Sequence, residues 1–250
     1  MLFTIIFLIV SMLPPVLIFF YIRNTVESEN AELSGMCSKA LLQGVLCVFG
    51  VMLCSAVTSL ILYFTGLVDT HPVIYAFLRT FIVFAFSEEL VKFLALRHFM
   101  RKRPYPYSPL TVVAIQSIIG TGFGLAEAIP YALGADAMTM IVRGLTMGHT
   151  GYGFIMGWFY AGYLKTGKKK YAVTGFMLPL VLHGLYDFGL SEQLEEVNEN
   201  FGIISLFLAL VSIVTIVIEI RFFRKRRHDE EYCAAFNAPG AVPDPSDVAE

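Results

Sequence analysis

The sequence predicts an all-α polytopic membrane protein with seven transmembrane helices, its N-terminus outside and its C-terminus in the cytoplasm. Three observations predict it. The 250 residues are 56% hydrophobic and 15% charged, where soluble domains carry about 25% charged residues, and the mean hydropathy is +0.68. Seven apolar stretches reach the length of about 20 residues that a spanning helix needs. Basic residues alternate from one connecting segment to the next, as they do when only cytoplasmic loops retain them. Continuous apolar runs of this length also exclude a β-barrel, whose strands alternate over about 10 residues.

The expected spans lie near 1–22, 40–64, 73–97, 109–133, 138–163, 171–190 and 201–223. The first has no Lys or Arg before its apolar run, and Arg23 follows it. A secretory signal has the opposite polarity, so this segment reads as a retained helix bent at Pro14-Pro15. Residues 24–39 read as an interfacial helix or a loop. The second span contains Cys47 and Cys54, read as small hydrophobes packed in one helix. With Cys37 and Cys233 they match no zinc spacing. None of the four falls in a segment placed outside, so no disulfide is expected.

Four connecting or terminal segments carry the basic residues. They hold Arg23 and Lys39; Arg97, Arg101, Lys102 and Arg103; Lys165, Lys168, Lys169 and Lys170; and Arg221, Arg224, Lys225, Arg226 and Arg227. That is 15 of the 18 Lys and Arg residues. Loops 65–72, 134–137 and 191–200 hold none, and the last is acidic. Any helix count other than seven breaks the alternation. No internal repeat is visible. Residues 1–227 read as one membrane domain with its core at about 73–190, followed by a disordered cytoplasmic tail, 228–250, rich in Ala, Pro and Asp.

The remaining polar residues lie inside apolar segments, where each needs a reason. A carboxylate at mid-membrane costs roughly 2.5–3.5 kcal/mol on insertion scales, and the third span carries two in succession, Glu88 and Glu89. Lys92 follows at i+4 and i+3 from them, so either glutamate can share its face. A structural ion pair with a spare carboxylate is the bland alternative. The fourth span carries Gly120, Phe123, Gly124 and Glu127. Its glycines read as close-packing residues, which leaves Glu127 unexplained. The fifth carries Arg143, read as a snorkelling or helix-bridging arginine, and His149 among many glycines. A lone histidine is more often a packing residue than a catalyst. The sixth carries His183 and Asp187 at i,i+4, a spacing that lets a carboxylate orient an imidazole.

Counting helix rise places Glu88, His149 and His183 near one central layer, with Glu127 further out. Three chemistries fit such a set. Glutamate and imidazole can activate water and stabilise an oxyanion. The same groups can hold Zn²⁺ with an open position. An acid–histidine chain can relay protons in a carrier.

The ordered set Glu88-Glu89-x-x-Lys92, Phe123-x-x-x-Glu127, His149 and His183-x-x-x-Asp187 resembles the PrsW family of intramembrane proteases. That family is similar to the larger group of CAAX prenyl proteases and bacteriocin-processing or abortive-infection proteins. The resemblance covers about 73–190. It implies a multi-pass protein of a bacterial cytoplasmic membrane that hydrolyses a membrane-anchored protein or peptide, such as an anti-sigma factor, with lipid and no nucleic acid as surroundings. It implies Glu88 as the base, with Glu89 as the alternative. It makes His149 and His183 catalytic, and Lys92, Glu127 and Asp187 supporting. Glu127 stands where the CAAX proteases have histidine, a departure from their pattern. No cofactor is favoured. Zn²⁺ is the alternative, held by His149, His183 and Glu88 or Glu127. A transporter or a non-catalytic scaffold are the competing classes.

Overall fold

The computed structural model describes residues 2–27, 35–101, 107–134 and 137–234. Among these residues every element is helical, as the fold class requires. The long helices are α1 (Leu2–Glu27) and α2 (Met36–Tyr63), followed by two short ones, α3 (Leu67–Thr70) and α4 (Pro72–Leu78). Pro72 opens α4 at the position where a missing N–H removes no bond. From α4 the chain continues through a π-helical stretch, Arg79–Phe86, into α5 (Ser87–Arg101). Then come α6 (Pro109–Gly134), α7 (Ala137–Thr146), α8 (Gly148–Thr166), α9 (Lys169–Gly189), the short α10 (Glu192–Glu195), α11 (Gly202–Arg226) and the short α12 (Glu230–Cys233).

Four of these helices are long and apolar enough to cross a membrane: Ile5–Val26, Met36–Tyr63, Pro109–Tyr131 and Gly202–Arg226. The other long helical stretches carry the charged and imidazole side chains, which lower their hydropathy. On α2, Leu42, Leu46, Phe49 and Leu53 form an exposed apolar face at helical spacing. In water such a face would need a partner; here lipid covers it. The chain is an integral membrane protein.

Helix α6 is the hub, packed against α8, α2 and α1. Two thirds of its most apolar window (67%) is buried, against 11–39% in the other three candidate spans. Glycine makes these approaches close. A Cβ on Gly44 or Gly122 would run into the backbone of the facing helix, α6 or α2. The glycines of α8 do the same work: a Cβ on Gly153 would meet the Gln116 carbonyl, and one on Gly157 would stand 3.0 Å from the Val113 Cα. Gly153 and Gly157 are packed against α6, Gly144 against Ser11 of α1 and Gly151 against Thr215 of α11.

The fifth expected span, 138–163, is not one helix. It breaks at Met147, whose φ of 45° and ψ of 41° lie in the left-handed region, a sparsely populated region for a residue with a Cβ. By contrast α1 runs through Pro14 and Pro15 as a single helix. Of the segment expected to be an unstructured tail, Glu230–Cys233 form α12, capped by the Asp229 side chain. Residues 235–250 lie outside the described residues, as do 28–34 of the segment 24–39.

Candidate active site

Glu88 and Glu89 occupy the first turn of α5, directly after the π-helical stretch. Such stretches change the direction in which following side chains point and recur at functional sites. Both glutamates are buried, Glu89 completely. Lys92 Nζ donates to Glu89 Oε1 at 2.6 Å, so the i,i+3 pairing is the one made. The same ammonium lies 3.1 Å from His149 Nδ1 and 4.7 Å from the centre of the Phe123 ring. Phe123, one turn before Glu127 on α6, also meets the His149 ring edge-on at 4.9 Å. The role of Phe123 was missed in the sequence, although its i,i+4 spacing from Glu127 puts both on one face.

His149 is the second residue of α8. Two glycines let it reach α6. A Cβ on Gly120 would collide with the His149 carbonyl, and one on Gly124 would stand 3.3 Å from the His149 ring. Nearby, the Thr121 and Thr150 hydroxyls hydrogen-bond at 3.0 Å and tie α6 to α8. His149 Nε2 then meets Glu127 Oε2 at 2.6 Å. Glu127 was expected further out than the histidines; the break at Met147 places His149 at a helix start, beside it. Arg143 of α7 joins the same Glu127 oxygen at 3.0 Å, with its guanidinium 3.8 Å above the Tyr131 ring. It bridges helices, as one of its two expected roles had it, and does so at the site itself.

On α9, His183 stands between two carboxylates. Its Nδ1 is 3.0 Å from Glu89 Oε1 and its Nε2 is 3.2 Å from Asp187 Oδ2. Both ring nitrogens donate in an imidazolium, and this pair of neighbours suits that form. Tyr152, one turn past His149, stacks on His183 with centroids 5.4 Å apart and planes at 23°. Nothing in the sequence distinguished Tyr152 from the other tyrosines.

All seven residues singled out in the sequence thus meet in one place: Glu88, Glu89, Lys92, Glu127, His149, His183 and Asp187. Four carboxylates face two obligate cations, Lys92 and Arg143, and two imidazoles. Glu89 keeps one buried oxygen, Oε2, without a hydrogen-bond partner, and so does Glu88. The Glu88 Oε2 lies at 3.9 Å from His149 Nδ1 and 3.8 Å from His183 Nε2. Those separations are too long for direct hydrogen bonds. A cavity of about 70 Å³ adjoins, lined by His149, His183, Glu127, Arg143, Asp187 and Tyr152 among others. A water needs about 10–15 Å³ of such volume and a few polar partners, so several waters fit. Glu88 is not in the cavity wall; His149 and His183, which are, have ring nitrogens 3.9 and 3.8 Å from its Oε2.

The donors also fit a metal ion. One atom each from Glu88, His149 and His183 lies within 4.8 Å of the others, and Glu88 Oε2 has no hydrogen-bond partner. The ring nitrogens turned away from Glu88 are held by Glu127 and Glu89, as the outer nitrogens of ligating histidines commonly are. Two groups compete: the Lys92 ammonium occupies the His149 Nδ1 lone pair, and Asp187 Oδ2 stands 3.2 Å from His183 Nε2.

A helical membrane protein with a carboxylate–imidazole centre beside a water-sized cavity is the class these features define, one equipped for hydrolysis within or beside the bilayer. Residues 35–218 match the model of the PrsW family intramembrane metalloproteases, and the chain belongs to that family. It is 31% identical over 175 residues to Protease PrsW of Geobacillus kaustophilus (strain HTA426), covering 68% of this chain and 72% of that one. To Protease PrsW of Halalkalibacterium halodurans it is 29% identical over 176 residues, 68% and 76% of the two chains. To that of Shouchella clausii (strain KSM-K16) it is 31% identical over 117 residues, 45% and 54%. No solved structure matches the chain. Every site residue named above lies inside the matched span; α1 lies outside it.

Proposed function

We propose that the protein is an intramembrane endopeptidase that uses Glu88 to activate water and cleaves a membrane-anchored protein or peptide. The observation that carries this reading is the unpartnered Glu88 Oε2, facing two imidazoles beside a cavity that water fits. Glu88 takes a proton as the water oxygen bonds to the scissile carbonyl carbon. The carbonyl π electrons move to oxygen, where the His183 imidazolium is placed to donate. Collapse of that intermediate breaks the C–N bond, and the proton held by Glu88 passes to the leaving nitrogen. Glu89 and Asp187 orient His183, Glu127 orients His149, and Lys92 steadies Glu89. A topology of seven spans, outside N-terminus and cytoplasmic C-terminus accompanies this reading, supported by the alternating basic residues. An anti-sigma factor is the substrate class that fits the family resemblance.

A metal-dependent form of the same hydrolysis is the second reading, favoured by the three-donor geometry and the family description. Glu88, His149 and His183 would hold the ion, which would supply Lewis acidity and a more acidic water. The Lys92 ammonium at His149 Nδ1 is the observation that favours the metal-free form.

The test uses full-length protein in detergent micelles with fluorescein-labelled casein as probe. Glu88→Gln is expected to abolish cleavage while leaving expression and melting unchanged; cleavage at the wild-type rate by this variant would sink the assignment. Elemental analysis of the active protein separates the two forms. One zinc per chain, with activity lost to a chelator and restored by Zn²⁺, would establish the second. Comparing membrane proteomes of cells carrying wild type or Glu88→Gln identifies the substrate.

A further inference from the structure

We infer that the helix break at Met147 is what completes the site, and that Arg143, delivered by the break, is a positioning residue for His149. The inference rests on the hydrolytic reading above. Arg143 and His149 are six residues apart. In an unbroken helix six residues make about one and two-thirds turns, which would point the two side chains about 120° apart and separate them by about 9 Å along the axis. Yet Arg143 Nη2 and His149 Nε2 contact the same oxygen, Glu127 Oε2, at 3.0 and 2.6 Å. The left-handed residue between them makes this convergence. Met147 N–H still donates to the Arg143 carbonyl at 3.3 Å, closing α7, and the Met147 carbonyl accepts from Thr150 and Gly151 at 3.0 and 3.2 Å, opening α8. One residue turns the chain with no loop spent.

The consequence is a fixed tautomer. Glu127, held by a guanidinium that itself lies flat on Tyr131, accepts the His149 Nε2 proton. The Nδ1 lone pair is then turned to Lys92 and toward Glu88. Without Arg143, the carboxylate loses its guanidinium and is free to rotate, and of the two contacts that set which His149 nitrogen carries the proton only the Lys92 one stays fixed.

The experiment reads the tautomer directly. The full chain is labelled with ¹⁵N-histidine in micelles, and the His149 signals are identified by their loss in His149→Gln. Wild type is expected to show a protonated Nε2 and a bare Nδ1. Arg143→Gln is expected to give averaged tautomers, and Arg143→Lys the wild-type pattern. Met147→Gly, which takes the left-handed conformation freely, keeps the wild-type pattern. Met147→Val, whose branched side chain resists it, gives the averaged one. In the casein assay kcat of Arg143→Gln falls about 10- to 100-fold, the usual effect of losing such an outer partner, with KM within about twofold, and Arg143→Lys recovers most of the loss. An unchanged His149 pattern in Arg143→Gln overturns the role of Arg143. Equal patterns in Met147→Gly and Met147→Val overturn the role of the break. Wild-type cleavage by Glu88→Gln would strike the protease reading and leave the tautomer result standing.

Discussion

The Glu89 carboxylate and the Lys92 ammonium lie 2.6 Å apart with side chains 0% and 1% exposed. They form one continuous contact with both histidines, through Glu89 to His183 and through Lys92 to His149. An ion pair this buried is costly to break from one side, because the remaining charge has no water to return to.

Lys92→Met is therefore expected to destabilise the protein by roughly 3–5 kcal/mol, the range for a buried pair broken by removal of one partner. The double variant Lys92→Met/Glu89→Gln removes the stranded charge and recovers a large part of that loss. Thermal unfolding in micelles followed by tryptophan fluorescence checks it. A double variant no more stable than Lys92→Met would contradict this account.

Gly120→Ala is expected to disturb the site more than Gly124→Ala. At Gly120 the new methyl group would overlap the His149 backbone carbonyl, which cannot move without carrying α8 with it. At Gly124 it would stand 3.3 Å from the edge of the His149 ring, a group that gives by a few tenths of an ångström. The casein cleavage rates should fall in that order, and equal losses would argue against the packing described.

Glu219 of α11 is fully buried and faces the Ser117 hydroxyl of α6, with no cation paired to it among the described residues. Nothing in the hydrolytic reading uses it. An isolated buried carboxylate is costly to keep charged, so Glu219→Gln, which keeps the shape, is expected to leave stability unchanged or raise it and to leave cleavage intact. A fall in the melting temperature would reveal a cationic partner for this carboxylate.

Just beyond α11, Arg226 pairs with Asp229, whose side chain also accepts from the Glu231 N–H at 3.1 Å and caps α12. These hydrogen bonds, the one to Arg226 first, hold the Asp229 carboxyl below its ordinary range. A depressed carboxyl contributes stability that is present above its unfolded value and lost as pH falls through the folded one. Amide exchange at Glu231–Cys233 should accordingly stay slow at neutral pH and speed up below the ordinary carboxylate range. Asp229→Ala should exchange fast throughout, and identical pH profiles for the two proteins would rule out the cap.

Helical class, membrane residence and the identity of the polar residues were legible in the sequence, because each follows from local chemistry. An apolar run of about 20 residues has few uses besides crossing a bilayer, and Glu88, Glu89, Glu127, His149, His183 and Asp187 announce themselves by being expensive in such runs. Which of them bond to which was decided only by the tertiary structure. Helix geometry allows Lys92 to take either glutamate. The choice of Glu89 was made by His149 and His183, which come from helices about 60 and 90 residues further along the chain and so lie beyond any local periodicity. The same holds for Arg143 and Tyr152. Their spacing is unremarkable, and only the left-handed turn at Met147, together with the glycine-lined approach of α8 to α6, brings them to the imidazoles. Local pattern sets which side chains are out of place in lipid; packing across helices sets what each of them touches.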